Sequence, residues 1–110
     1  MAYYISAIGD QPNLIELIRF RGQERRSNIP QEISTKYRQF GILLLKDVNG
    51  ARVTAMAHKH RENAEQINIE ILQEWIMGNG VQPVTWAILV EILEDIGMTV
   101  LASDIRAVKS

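Results

Sequence analysis

The two histidines, His58 and His60, precede Glu62 and are the first residues to consider for metal binding or acid–base chemistry. Side chains two residues apart on a helix point to different sides, whereas zinc-binding pairs are spaced about three to five residues apart. The chain has no cysteine, which removes thiolate ligands and a cysteine nucleophile. No arrangement of serine, histidine and aspartate typical of nucleophilic catalysis is recognisable. We therefore expect no metal site, no cofactor and no enzyme activity.

The charged residues are unevenly distributed along the chain. Residues 1–46 contain seven basic and four acidic residues, a net charge of +3, whereas residues 47–110 contain five basic and nine acidic residues, a net charge of -4. Seven acidic residues and no basic residue occur from Glu62 to Asp95. This separation, which the total of -1 conceals, predicts two surfaces of opposite charge.

Two candidate partner-binding faces follow from this distribution. The basic candidates are Arg19, Arg21, Arg25, Arg26 and Arg38. The acidic candidates are Asp47, Glu70, Glu74, Glu91, Glu94 and Asp95. A face that binds a different face makes a heterologous contact, which builds rings or open helices of subunits. The alternative interpretation is a solvated acidic surface that binds nothing.

Proline and glycine divide the chain into segments whose apolar residues recur at helical spacing, and these segments predict an all-α domain of six helices without strands. At 110 residues there is room for one core. We assign residues 12–108 to the bundle, 1–11 to an N-terminal extension and 109–110 to a C-terminal tail. The second helix is predicted from Pro30 to Leu45.

The residues predicted to form the core are mostly large and apolar. They are Phe40, Leu44, Ile71, Leu72, Trp75, Trp86, Leu89, Leu93, Leu101 and Ile105. Glycine weakens a helix interior relative to alanine, so Gly41 within the second helix indicates that another helix passes close to its backbone. Asn63 and Thr85 are predicted to cap the helices that carry the two tryptophans.

Several segments resemble the death-domain family. Residues 71–75 (ILQEW) and 84–89 (VTWAIL), separated by a glycine turn, are similar to its paired-tryptophan region. Residues 40–44 (FGILL) resemble its glycine-containing second helix, and residues 98–105 resemble its closing helix. The resemblance extends over residues 12–108, and it implies an antiparallel six-helix bundle of Greek-key topology without a catalytic site.

The resemblance also implies a function. Death domains are adaptors in apoptotic, inflammatory or innate-immune signalling, and they associate with other death-fold domains, either copies of themselves or different ones, often as oligomers. On this basis we expect a protein-interaction module that oligomerises through asymmetric, charge-complementary contacts.

Nucleic-acid binding is the alternative function, because small helical bundles include DNA readers and an arginine-rich loop can contact phosphates. The sequence pI is near 6.1, so the chain lacks the excess of basic residues that is typical of proteins that bind duplex nucleic acid. We therefore expect no nucleic-acid partner. No apolar run approaches the roughly 20 residues needed to span a bilayer, and the first residues do not resemble a secretory signal. We expect a cytoplasmic protein that does not insert into membranes.

Overall fold

The computed structural model describes residues 11–21, 28–80 and 82–109. All regular elements in these ranges are helical, and no strand is present in them. The elements are α1 (Leu14–Arg19), α2 (Ile29–Ile33), a 3-10 turn (Ser34–Lys36), α3 (Tyr37–Leu45), α4 (Ala51–Lys59), α5 (Ala64–Ile76), α6 (Trp86–Asp95) and α7 (Thr99–Lys109). Because α2, the turn and α3 together occupy the span predicted as the second helix, the prediction of an all-helical, six-helix fold is confirmed for the described residues.

Asparagine side chains define where the two short helices α1 and α2 begin. The Asn13 side chain accepts a hydrogen bond from the Glu16 amide, and the Glu16 carboxylate accepts one from the Asn13 amide. Asn28 and Gln31 form the same reciprocal pair at the start of α2. Each pair satisfies two amides that a helix start leaves without intrahelical partners.

The caps predicted for the two tryptophan-bearing helices are present. The Asn63 side chain accepts from the Gln66 amide at 3.0 Å, and the Thr85 hydroxyl accepts from the Ile88 amide at 3.1 Å. The Asn63 amide donates to the His60 carbonyl, so the reciprocal bond that completes a capping box is not formed at α5. A single cap bond suffices to fix a helix start.

The predicted uninterrupted helix from Pro30 to Leu45 is wrong at Ser34. Ser34 has φ 49° and ψ -128°, which is close to the first central position of a type II′ turn and favours glycine. The chain therefore changes direction between α2 and α3 while both segments contribute apolar residues to the core. Helical periodicity continues across the break, which explains why the sequence pattern conceals it.

All ten residues predicted to form the core are buried, with at most 3% of any of them exposed. Trp75 and Trp86 are the largest fully buried side chains and belong to the same apolar cluster. The Trp75 indole N–H donates to the Pro83 carbonyl at 3.2 Å, which satisfies its polar atom inside the core. The Trp86 ring lies 6.4 Å from the Phe20 ring.

Helix α5 occupies the centre of the bundle, where it packs against α1, α2, α3 and α4, while α6 and α7 form a closely packed pair. The radius of gyration is 13.3 Å, near the value of about 13 Å expected for a compact domain of this size. Within the described ranges, no helix has the length and apolar character needed to cross a membrane.

Candidate functional site

The candidate basic face is only partly described. Arg19 and Arg21 are exposed at the end of α1, where the Arg21 guanidinium donates to two carbonyls, those of residues 18 and 20. These bonds occupy carbonyls that the helix end leaves without partners. Arg25 and Arg26 lie outside the described residues.

Arg38 is exposed on α3, and its guanidinium donates to the Thr54 hydroxyl on α4 at 3.1 Å. Arg19 and Arg21 instead lie at the end of α1, which packs against α2 and α5. No contact among the described residues joins Arg38 to these two arginines. Of the five predicted basic residues, the structure therefore describes two at the end of α1 and one on α3.

Glu70 on α5 is held by the end of α4. Its carboxylate contacts the His60 imidazole at 2.5 Å and the Lys59 ammonium at 3.2 Å. Partial burial raises the pKa of Glu70, but the hydrogen bonds from His60 and Lys59 outweigh this effect and hold the pKa below its usual value. Glu70 therefore links two helices within the chain.

Glu74, one turn further along α5, is also paired within the chain. Arg52 on α4 contacts its carboxylate at 3.2 Å and donates a second hydrogen bond to the Asn79 carbonyl at 2.9 Å. The Asn79 side chain donates to the same carboxylate. Arg52 thus connects α4 with the end of α5 and the turn that follows it.

Glu94 and Asp47 have internal partners as well. Glu94 forms a two-bond ion pair with Arg106 on α7. Asp47 is 8% exposed, and its carboxylate accepts from the Val53 amide in the first turn of α4 at 3.0 Å. The structure therefore places Asp47 beneath the surface, where it caps the start of α4. A buried capping carboxylate offers almost no area to a partner.

Glu91 and Asp95 are the remaining acidic candidates. They lie four residues apart on α6, so they share one face of the helix, and both are exposed. Neither forms a hydrogen bond or ion pair with any other residue that the structure describes. This acidic pair, Glu91 and Asp95, is the part of the predicted acidic face that has no internal partner.

No family model, curated protein or solved structure matches this chain.

His60 and Glu62, which the sequence brings close together, contact different side chains in the structure. His60 contacts Glu70, and the Glu62 carboxylate accepts from the Tyr37 hydroxyl at 2.8 Å. This hydrogen bond is the main cause of a raised pKa of Tyr37, and burial and the negative charge of Glu62 act in the same direction. No group of three or more metal-ligating side chains occurs within residues 11–21, 28–80 and 82–109.

A cluster that sequence reasoning missed joins the two ends of the described fold. The Lys109 ammonium lies 4.5 Å from the centre of the Trp86 ring and 3.2 Å from the Glu16 carboxylate on α1. A cation over an indole face is attracted by the ring's electrons. The 93-residue separation of Lys109 and Glu16 gives no local pattern that could have revealed the contact.

Proposed function

We propose that the chain is a non-enzymatic protein-interaction module that binds other folded domains, including copies of itself, through complementary charged surfaces. In this proposal its six helices follow the Greek-key order of death domains. The residues that carry the resemblance support it, because both tryptophans and the glycine-containing second helix occupy core positions. A role in apoptotic or innate-immune signalling is implied by the resemblance alone and stays a prediction.

The observation that carries the proposal is the acidic pair on α6. Like charges four residues apart on a helix cost a few tenths of a kcal/mol, and no described residue compensates this pair. Glu70, Glu74 and Glu94, in contrast, are each neutralised by a basic side chain from another helix. A basic group on a partner would offset the repulsion between Glu91 and Asp95.

The arginines at the end of α1 are the proposed complement of the acidic pair. Arg19 is exposed in the last turn of α1, and Arg21, Arg25 and Arg26 follow it closely in sequence. Because the acidic and basic surfaces differ, each molecule can bind one neighbour through α6 and another through α1. Charge pairs at such a contact chiefly set the rate and orientation of encounter.

Self-association is tested by measuring molar mass with multi-angle light scattering from micromolar to millimolar concentration. The expected result is a mass that rises with concentration and falls when salt is added, since salt screens exposed charges over about 8 to 10 Å at physiological ionic strength. Reversing the acidic pair (Glu91→Arg with Asp95→Arg) or the basic group (Arg19→Glu with Arg25→Glu and Arg26→Glu) should each give a monomer.

The decisive control is to mix the two charge-reversed proteins. Each reversed protein carries two surfaces of the same sign, but together they restore complementary contacts, so the mixture should associate while each component remains monomeric. Arg61→Glu, a reversal at an exposed residue outside both surfaces, should associate as the parent does. A parent that stays monomeric at every concentration and salt, or a mixture that does not associate, would contradict the proposal.

A further inference from the structure

The break between α2 and α3 is built from an unfavourable backbone conformation. Ser34 has φ 49° and ψ -128°, where a Cβ atom is crowded by the backbone and only glycine is comfortable. Residues held in such regions persist only when the surrounding structure fixes them. The contacts around Ser34 therefore show what holds the break in place.

Asn68 on α5 is the first of these contacts. Its side chain is fully buried, and its amide nitrogen donates to the Pro30 carbonyl at 3.1 Å and to the Ser34 carbonyl at 3.0 Å. Its side-chain oxygen is buried and has no hydrogen-bond partner. Burying an oxygen without a hydrogen-bond partner costs free energy. That Asn68 is buried despite this cost indicates that its role is to bond the carbonyls on either side of the break.

Lys36 provides the second contact, on the other side of the turn. Its ammonium donates to the Ile96 carbonyl at the end of α6 at 3.1 Å. Beside the turn lies a cavity of about 350 Å³, lined by residues 32–36 on one side and 97–101 on the other. The strained turn is therefore one wall of an open space rather than a packed layer.

We infer that the Ser34–Lys36 turn is a strained hinge that Asn68 and Lys36 hold closed. This hinge opens locally while the rest of the bundle stays folded. Three observations support this inference: an unfavourable backbone conformation, two side-chain contacts with backbone carbonyls, and a cavity that separates the turn from the start of α7. Opening would release the Lys36 ammonium and widen the cavity beside the start of α7. The hinge stands independently of the proposed association.

Amide hydrogen exchange measured by NMR tests the hinge. The Ser34 amide donates to the Pro30 carbonyl within the turn, and the Leu72 amide in the buried core of α5 reports global unfolding. In the parent protein, after correction for intrinsic rates, the Ser34 amide should exchange at least about tenfold faster than the Leu72 amide, because local opening requires less free energy than global unfolding. Equal exchange at both amides would overturn the inference.

Matched substitutions at Ser34 test the strain. Glycine relieves the unfavourable conformation, whereas alanine removes the hydroxyl and keeps the Cβ atom. Exchange in residues 33–37 should therefore be about fivefold slower in Ser34→Gly than in Ser34→Ala, after allowing for the greater flexibility of glycine in the open state. Equal exchange in the two variants would show that the turn stores no strain and would overturn the inference.

A surface substitution tests the second contact without disturbing the core. Lys36→Met removes the hydrogen bond to the Ile96 carbonyl and should speed exchange at Ser34 about threefold, with no change at Leu72. Lys46→Met removes the same charge from an exposed turn elsewhere and should leave both rates unchanged. An effect of Lys36→Met that is equal at Ser34 and Leu72 would show only a general loss of stability and would contradict a hinge.

Discussion

Glu70 shows how the surroundings of one side chain determine its role. By sequence it belongs to a run of acidic residues without bases, yet His60 and Lys59 neutralise it from another helix. Arg52 and Arg106 do the same for Glu74 and Glu94. The number of acidic residues in the sequence therefore overstates the acidity of the surface, and among the six predicted acidic-face residues the acidic pair alone has no internal partner that the structure describes.

The depressed pKa of Glu70 makes a prediction about acid stability. A carboxyl whose pKa is lower in the folded state contributes stability above its unfolded pKa, near 4.5, and loses this contribution as the pH falls through its folded pKa. Glu70→Gln should therefore lower the free energy of unfolding near neutral pH and reduce its acid dependence. Urea unfolding between about pH 6 and about pH 3 measures both effects.

Glu91→Gln provides the matched control, because Glu91 is exposed and its side chain forms no hydrogen bond or ion pair with a described residue. This variant should lose stability with acid as steeply as the parent protein does. If Glu70→Gln and the parent have the same acid dependence, the contact with His60 and Lys59 does not contribute to folding.

At the scale of the elements, Gly41 determines how closely three helices pack. A Cβ atom at Gly41 would lie 2.5 Å from Val53 on α4 and 2.9 Å from Ile71 on α5. The close approach predicted from this glycine is therefore confirmed, and it explains why a residue that weakens helices occupies the middle of α3.

Gly41→Ala should destabilise the protein by about 1 to 2 kcal/mol. Overpacking costs about 1 to 3 kcal/mol, which exceeds the gain of up to about 1 kcal/mol from replacing glycine in a helix. Combining Gly41→Ala with Val53→Ala should give less destabilisation than the sum of the single changes, because the second change removes the methyl group nearest to the new Cβ. Chemical denaturation of the four proteins measures this coupling, and a stabilised Gly41→Ala variant would contradict it.

The starts of the helices were predictable because caps and proline act within a few residues of their own helix. Asn13, Asn63 and Thr85 each bond to an amide three residues ahead. The break at Ser34 was not predictable, since it depends on Asn68 on a helix 34 residues away. The capping role of Asp47 was also missed, because an acidic residue in a turn looks the same in the sequence whether its carboxylate faces solvent or the next helix.

For the whole molecule, the two tryptophans are the largest contributors to a single core. Helical periodicity was sufficient to predict that both are buried, because each lies on the apolar face of its own helix. The charged surface was less predictable, because ion pairs between helices depend on how the helices are arranged. Of the two faces expected from the sequence, the structure leaves the acidic pair and the arginines at the end of α1 as candidates for binding a partner.

Trp75→Ala and Trp86→Ala should each cost about 3 to 5 kcal/mol, a large fraction of the 5 to 15 kcal/mol that typically stabilises a domain. Thermal unfolding followed by circular dichroism should show each alanine variant unfolded or melting far below the parent. Trp75→Phe and Trp86→Phe retain an aromatic ring and should lose less stability. An alanine variant as stable as the parent would contradict a shared core around these two rings.

The contact of Lys109 with Glu16 and Trp86 brings the beginning and the end of the described fold together. A host protein that carried this bundle as an insertion between two of its own elements would enter through α1 and leave through α7 at nearly the same place. The two segments of the host on either side of the insertion could therefore stay close together, as they were without the inserted bundle. Closeness of this kind is what allows a domain to be transplanted into a loop of another protein.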